Sequence, residues 1–285
     1  MLRSLLVLLL ALGSGSALAR DAASQHGHLV LNGGGAKPHE VMEKFIELAG
    51  GPEARIVVFP TASGEPDTGQ YYQDLLQDEY GCSNVSIAQV ESRDDAMQKA
   101  TRDLVLAAGG IFFSGGDQRR ITRALLGTPV GEAVVAAWRR GAVIGGTSAG
   151  TACQSELMIT GDGDFTVLTA ENVELWPGLG LLPGAVIDQH FVARQRQNRL
   201  ISVVLEHRQL LGVGIDEATA VWVRPDGTFK VLGNGWVMVI DASTAQVRRT
   251  QRGDGTVALG VHGLVTHILL PGEVFDLQQR AIAES

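Results

Sequence analysis

Gly146-Thr147-Ser148-Ala149-Gly150 carries a serine between small residues, directly after the aliphatic run Ala142-Val143-Ile144. Small flanking residues let a chain bend sharply from strand into helix, so that the serine hydroxyl projects from the carboxyl edge of a sheet. The amide of Ala149, the next residue, is then placed to stabilise an oxyanion. The plain alternative is a glycine-rich turn that carries serine because serine suits a helix N-cap; the buried strand before it favours the nucleophile. A serine hydroxyl also needs a base and a group that orients the base. Of the seven histidines, His190 stands where the run Val186-Ile187 passes into Asp188-Gln189-His190. That marks the carboxyl end of a strand, the edge where open α/β sheets place their sites. Glu217 closes a similar run, Val213-Gly214-Ile215-Asp216-Glu217, and two adjacent carboxylates at a strand end are costly unless solvated or used.

These residues require a scaffold, and the sequence supplies one. Strand-like runs at Leu29–Leu31, Arg55–Phe59, Val85–Val90, Ile111–Phe113 and Ala142–Ile144 alternate with helical patterns. The helical segments are Pro38–Leu48, Gln70–Glu79, Asp94–Ala107, Arg119–Leu126 and Val130–Arg140. Continuous apolar strands joined by helices imply an α/β fold, its mainly parallel sheet flanked by helices on both faces. From about residue 218 the pattern changes. Ala220–Val223, Phe229–Leu232 and Val237–Ile240, separated by Pro225-Asp226-Gly227 and Gly233-Asn234-Gly235, read as an antiparallel meander. A single domain over residues 20–285 with a β-rich C-terminal portion is the economical description.

Composition narrows the partners. A net charge of −8 argues against a generic nucleic-acid or anionic-membrane binder. Two cysteines exclude a zinc ribbon or disulfide scaffold; Cys82 and Cys153 either pair, in an oxidising compartment, or remain buried thiols. The 36 glycines, with no Gly-X-Y period, signal many tight turns. Residues 1–19 read as a secretory signal: Arg3, an aliphatic run over Leu5–Leu12, then Ala17-Leu18-Ala19 before the expected cleavage point. The chain is therefore expected to be exported, periplasmic or secreted.

The order Ser148…His190…Glu217 differs from the Ser…acid…His order of α/β-hydrolases. Phe113-Ser114-Gly115-Gly116-Asp117-Gln118, Gly146-Thr147-Ser148-Ala149-Gly150, Asp188-Gln189-His190-Phe191 and Gly214-Ile215-Asp216-Glu217 resemble, in order and spacing, the cyanophycinases of the peptidase E-like serine peptidases. The resemblance runs from about Leu29 to Ile240. It implies a class I glutamine amidotransferase-like fold, usually as a homodimer, without metal or organic cofactor. It further implies Ser148 as nucleophile, His190 as general base and then acid, and Glu217 as the carboxylate orienting the imidazole. The implied reaction cleaves the poly-aspartate backbone of cyanophycin, whose β-carboxyls carry arginine, and releases β-aspartyl-arginine. Ala149 and Gly116 are the implied oxyanion donors. Gln118, Asp188, Gln189, Arg194, Arg196 and Arg199 match the family's substrate-pocket positions.

The arginines make sense for such a substrate. Arg196 and Arg199, three apart, share one side of a helix whose apolar face holds Leu200, Val203 and Val204; Arg194 lies just before it. Guanidinium groups suit bidentate capture of carboxylates, and Asp188 is expected to pair with the substrate's own guanidinium. Two departures stand out: Thr151 replaces an expected alanine, and residues 151–181 match the family only loosely. Asp162-Gly163-Asp164 lacks the remaining ligands of a calcium loop and reads as a turn. Two rival readings remain. One is a secreted α/β-hydrolase-type esterase using Asp164, His267 and a Gly33–Gly35 oxyanion loop; the other is a non-catalytic exported module that captures acidic peptides.

Overall fold

The computed structural model describes residues 26–164 and 166–284. The expected signal sequence lies outside the described residues.

The alternation read from the sequence becomes β1 (Leu29–Asn32), α1 (His39–Ala49), β2 (Ile56–Phe59), α2 (Thr68–Asp74), β3 (Val85–Ile87) and α3 (Lys99–Leu106). It continues through β4 (Gly110–Phe113), α4 (Gln118–Leu125), α5 (Pro129–Arg139) and β5 (Val143–Thr147). Strands β1 to β5 are parallel, in the order β1-β5-β4-β2-β3. Every residue of β2 is essentially inaccessible. Val57 and Phe59 enter one apolar cluster while Ile56 and Val58 enter the other, so an unbroken apolar run is what a strand covered on both faces requires. Cys153 and Cys82 sit in those two separate clusters, and both are free thiols. The expected helix over 94–107 is interrupted, because Gln98 is extended (ψ 126°) between a short turn at Asp95–Met97 and α3.

Past the serine come one helical turn, α6 (Ala149–Ala152), a small hairpin of β6 (Leu157–Ile159) and β7 (Leu175–Pro177), then β8 (Ala185–Gln189), α7 (Gln197–Glu206) and β9 (Leu211–Ile215). β8 and β9 are parallel to each other but do not join the large sheet. The single parallel sheet expected from the apolar runs is therefore two sheets. Ile187 and Val213 pack into the main core, whereas Val186 meets Leu200, Val203 and Val204 of α7 on the other face.

The C-terminal portion also departs from a simple meander. β10 (Thr219–Val223) and β11 (Thr228–Gly233) form a hairpin that extends the large sheet antiparallel to β1. β12 (Val237–Asp241) instead crosses to pair with β9. The switch occurs at Gly233-Asn234-Gly235, where Gly233 has a φ of 95° and the Asn234 amide returns to the Ala218 carbonyl. A projecting hairpin follows, β13 (Gln246–Gln251) and β14 (Val257–His262). β15 (Val265–Leu269) completes the second sheet, and β16 (Val274–Asp276) with β17 (Ala281–Ala283) completes the first. The nine-stranded sheet and the four-stranded sheet meet where β1, β5, β8 and β9 present their carboxyl ends.

Candidate active site

β5 ends in Thr147, and Ser148 takes φ 52°, ψ −110° before α6 begins. A non-glycine residue held there costs on the order of 1–3 kcal/mol, so neighbouring bonds must impose it. Asn32, at the end of β1, supplies several. Its carbonyl accepts from the Ser148 amide (3.0 Å) and from the Thr151 hydroxyl (2.7 Å). Its side-chain oxygen accepts from the Thr147 hydroxyl (2.9 Å) and the Gly34 amide (2.8 Å). Thr151, the departure from the expected alanine, also donates to the Gly146 carbonyl at 2.9 Å. It therefore braces the turn from within. The helix after Ser148 is only one turn long, so any help to an oxyanion is that of local N–H groups rather than of a helix dipole.

The hydroxyl of Ser148 lies 2.8 Å from His190 Nε2, and His190 Nδ1 lies 2.5 Å from Glu217 Oε1. The three residues singled out by sequence thus form one hydrogen-bonded line, although the serine belongs to the large sheet and the other two follow β8 and β9. Positive φ recurs at His190 (50°) and at Ala218 (51°), beside Glu217. The loop Gly33–Gly35 joins the two halves. The Gly33 carbonyl accepts from the His190 amide (2.7 Å), and the Gly34 carbonyl accepts from the Ala218 amide (3.0 Å). A Cβ at Gly34 would stand 2.3 Å from the imidazole, so a side chain there would displace the ring. This loop backs the imidazole and carboxylate and is not disposed as the oxyanion loop of the esterase reading. That reading loses its other members too: Asp164 accepts from Thr166 in a surface turn, and His267 packs on Phe275. Asp162-Gly163-Asp164 is the turn expected. Asp216, adjacent to Glu217, accepts from the Val192 and Ala193 amides and fixes the segment after His190.

Burial holds the His190 pKa below its ordinary value. The bond to Glu217 opposes that shift, and Arg194 and Arg196 add to it. The imidazole is consequently neutral at neutral pH and able to accept the serine proton. The Glu217 side chain, bonded to Nδ1, fixes the orientation of the imidazole and is placed to stabilise the imidazolium formed on proton transfer.

A polar cleft of about 290 Å³ opens on Ser148. Gly116, Gln118, Gln189, Arg194, Arg196 and Arg199, all named from the sequence, line it. The Gly115-Gly116 turn borders the serine: a Cβ at Gly115 would lie 3.5 Å from Ser148 Cβ. Gly116 has φ 140°, and a Cβ there would fall 2.0 Å from the Ala62 carbonyl, so only glycine fits.

Asp188 is a correction. It is 0% exposed, and Arg199, 1% exposed, grips it through Nε (2.7 Å) and Nη2. Arg196 stands 3.7 Å away and donates to the backbone and side-chain oxygens of Gln189 at 2.5 and 2.6 Å. Asp188 cannot receive a substrate guanidinium; it neutralises and aims the arginines. Arg196, moreover, precedes α7 rather than lying on it, so the converging arginines come from the helix entry as well as its first turn. Burial, then the nearby Arg199, lowers the Arg196 pKa to about 10, which still leaves it cationic at neutral pH.

Opposite the arginines, residues 159–162 form the second wall. The Gln118 amide donates to the Ile159 and Thr160 carbonyls (2.6 and 2.8 Å), Arg119 reaches Asp162, and Arg123 stacks 4.7 Å over Trp176. Gln118 therefore shapes the cleft, with its nitrogen spent on this wall. Asn32 and this second wall escaped the sequence reading. Only a polar residue at the end of a buried strand, as Asn32 is, offered a signal.

A model of peptidase family S51 matches residues 29–231. The chain is 37% identical over 265 residues to a cyanophycinase of Synechococcus elongatus, an alignment spanning 91% of this chain and 82% of that protein. It is 36% identical over 259 residues to the cyanophycinase of Trichormus variabilis (89% and 86% covered), and 33% identical over 252 residues to that of Geminocystis herdmanii (87% and 92% covered). In fold it is similar to a crystal structure of a peptidase from an acI-B1 actinobacterium, with a TM-score of 0.66 at 22% identity, covering 88% of this chain and 97% of that one. A crystal structure of a putative peptidase E protein from Listeria monocytogenes gives a TM-score of 0.50 at 15% identity, covering 73% and 98%. On the family match and these identities, the chain belongs to peptidase family S51.

Proposed function

We propose that the protein is a serine-type cyanophycinase, hydrolysing cyanophycin at backbone aspartyl bonds and releasing β-aspartyl-arginine. The observation that carries this reading is the continuous line Ser148–His190–Glu217 at the mouth of an arginine-lined cleft, in a chain whose curated relatives are named cyanophycinases. His190 takes the Ser148 proton as Oγ attacks the scissile carbonyl. The amides of Ala149 and Gly116 hold the tetrahedral oxygen, each such donor contributing ~2.7–4 kcal/mol of transition-state stabilisation. As the intermediate collapses, the imidazolium protonates the leaving amine and the acyl group stays on Ser148. Water, deprotonated by His190, then releases it and restores the serine.

Arg194, the exposed member of the arginine wall, meets the carboxylates of the polymer beside the base, while Arg196 and Arg199, held by Gln189 and Asp188, add positive charge behind it. Residues 1–19 fit a cleaved export signal, so the enzyme acts outside the cytoplasm, and the family resemblance implies a homodimer.

Incubating the mature protein and its Ser148→Ala variant with insoluble cyanophycin and with a short-chain ester tests this. Soluble β-aspartyl-arginine from the parent alone is the expected result. Ester turnover without dipeptide release would overturn the substrate, and binding without turnover would point to a capture module.

A further inference from the structure

Cyanophycin presents both a guanidinium and a carboxylate on each arginine branch, so a cleft that reads it needs an anion as well as cations. With Asp188 enclosed by Arg199 and Arg196, the carboxylates among the described residues that line the cleft are Asp117 and Asp162. Asp117 is committed: it caps α4, accepting from the Arg119 amide at 2.9 Å and from Arg119 Nε at 3.1 Å. Asp162 is held by a single side chain, Arg119 Nη1 at 2.8 Å, and is 64% exposed.

The geometry around Asp162 is fixed from behind. Gln118 holds the Ile159 and Thr160 carbonyls, and the Thr160 hydroxyl donates to Glu174 at 2.8 Å. Its backbone is therefore anchored while its carboxylate stands over the cleft, facing a guanidinium supplied by the protein itself. We propose that Asp162 is the specificity residue for the substrate's arginine branch. The Arg119–Asp162 pair occupies the place of a substrate ion pair. An incoming guanidinium takes Asp162 in exchange for Arg119, which keeps Asp117 as its partner and turns its freed nitrogen to the substrate carboxylate. The exchange trades one exposed ion pair for two, which makes it close to neutral for the protein and favourable only for a ligand bearing both charges. The region that matches the family loosely would thus carry the side-chain selectivity, and the arginine wall the carboxylate recognition.

This assignment rests on the cyanophycinase reading, and the test separates the two. In the Ser148→Ala background, binding of a soluble β-aspartyl-arginine oligomer is compared by calorimetry with that of the same oligomer carrying citrulline, the neutral isostere of arginine. The arginine oligomer should bind about fivefold more tightly, the size of a partly exposed charge pair. Asp162→Asn should erase that preference and Asp162→Glu should restore part of it. With Ser148 intact, Asp162→Asn should raise KM for cyanophycin about fivefold while kcat stays within twofold. An Asp162→Asn protein that still prefers arginine over citrulline would overturn the assignment while the hydrolase reading stands. Failure of the Ser148→Ala protein to bind either oligomer would overturn both.

Discussion

Ser148 leaves the nine-stranded sheet through a turn fixed by backbone bonds and the hydroxyl of Thr151. His190 and Glu217 leave the four-stranded sheet and are fixed by each other and by the loop Gly33–Gly35 packed behind them. The nucleophile is thus positioned by hydrogen bonds at the carboxyl ends of neighbouring parallel strands of one sheet, whereas its base and acid depend on how the two sheets meet. Damage to the first should remove the reacting atom. Damage to the second should leave the atom in place and misdirect its partners.

Glu217→Gln should produce the largest loss of those that spare the serine, about 10⁴-fold in kcat, because the amide cannot hold the imidazole in the required tautomer or offset its charge. A variant with near-parent kcat would remove Glu217 from the catalytic line. Asp188→Ala strikes the second sheet through stability. It removes the carboxylate that Arg199 grips in the interior, and urea unfolding should register a loss of about 3–5 kcal/mol; the exposed Asp162→Asn should cost under ~1 kcal/mol by the same measure. Equal losses would erase the distinction between a framing pair and a recognition pair. Asn32→Ala touches both halves at once, since its side-chain oxygen serves Thr147 and Gly34. A fall of ~10²-fold in kcat, with KM little changed, is expected from displacement on the scale of an ångström.

The smallest effect concerns pH. His190 must be neutral to accept a proton, and burial lowers its pKa, so kcat/KM should fall only below a midpoint under about 6.5, the ordinary histidine value. Arg194 contributes to that lowering, and Arg194→Ala should shift the acid limb slightly upward. A downward shift would contradict the sign of its influence.

Much of the nucleophile half was legible in the sequence, because strands covered on both faces must be continuously apolar and a sharp turn must be built of small residues. Ile56–Phe59 and Gly146–Gly150 state their roles in their composition. The second half was legible only residue by residue. Val186-Ile187 and Val213-Ile215 announce buried strands, but burial does not encode which sheet a strand joins, so the two-sheet arrangement and the crossing of Val237–Asp241 were hidden. Asp188 misled for a related reason. Its position beside the base was correct, but only packing reveals that Arg199 fills its coordination. Asp162 read as a turn, which it is; that the turn overhangs the cleft depends on Gln118, 44 positions earlier in the chain.

Ser148 stands as the reacting nucleophile of a cyanophycin-degrading peptidase only if it carries the acyl group. The most direct test is treatment of the mature enzyme with a fluorophosphonate, followed by peptide mass spectrometry and assay of dipeptide release. A single adduct on Ser148 is expected, formed in step with loss of cyanophycin hydrolysis, with slow labelling when His190 is replaced by alanine. Full cyanophycin hydrolysis by a protein quantitatively modified at Ser148 would contradict it.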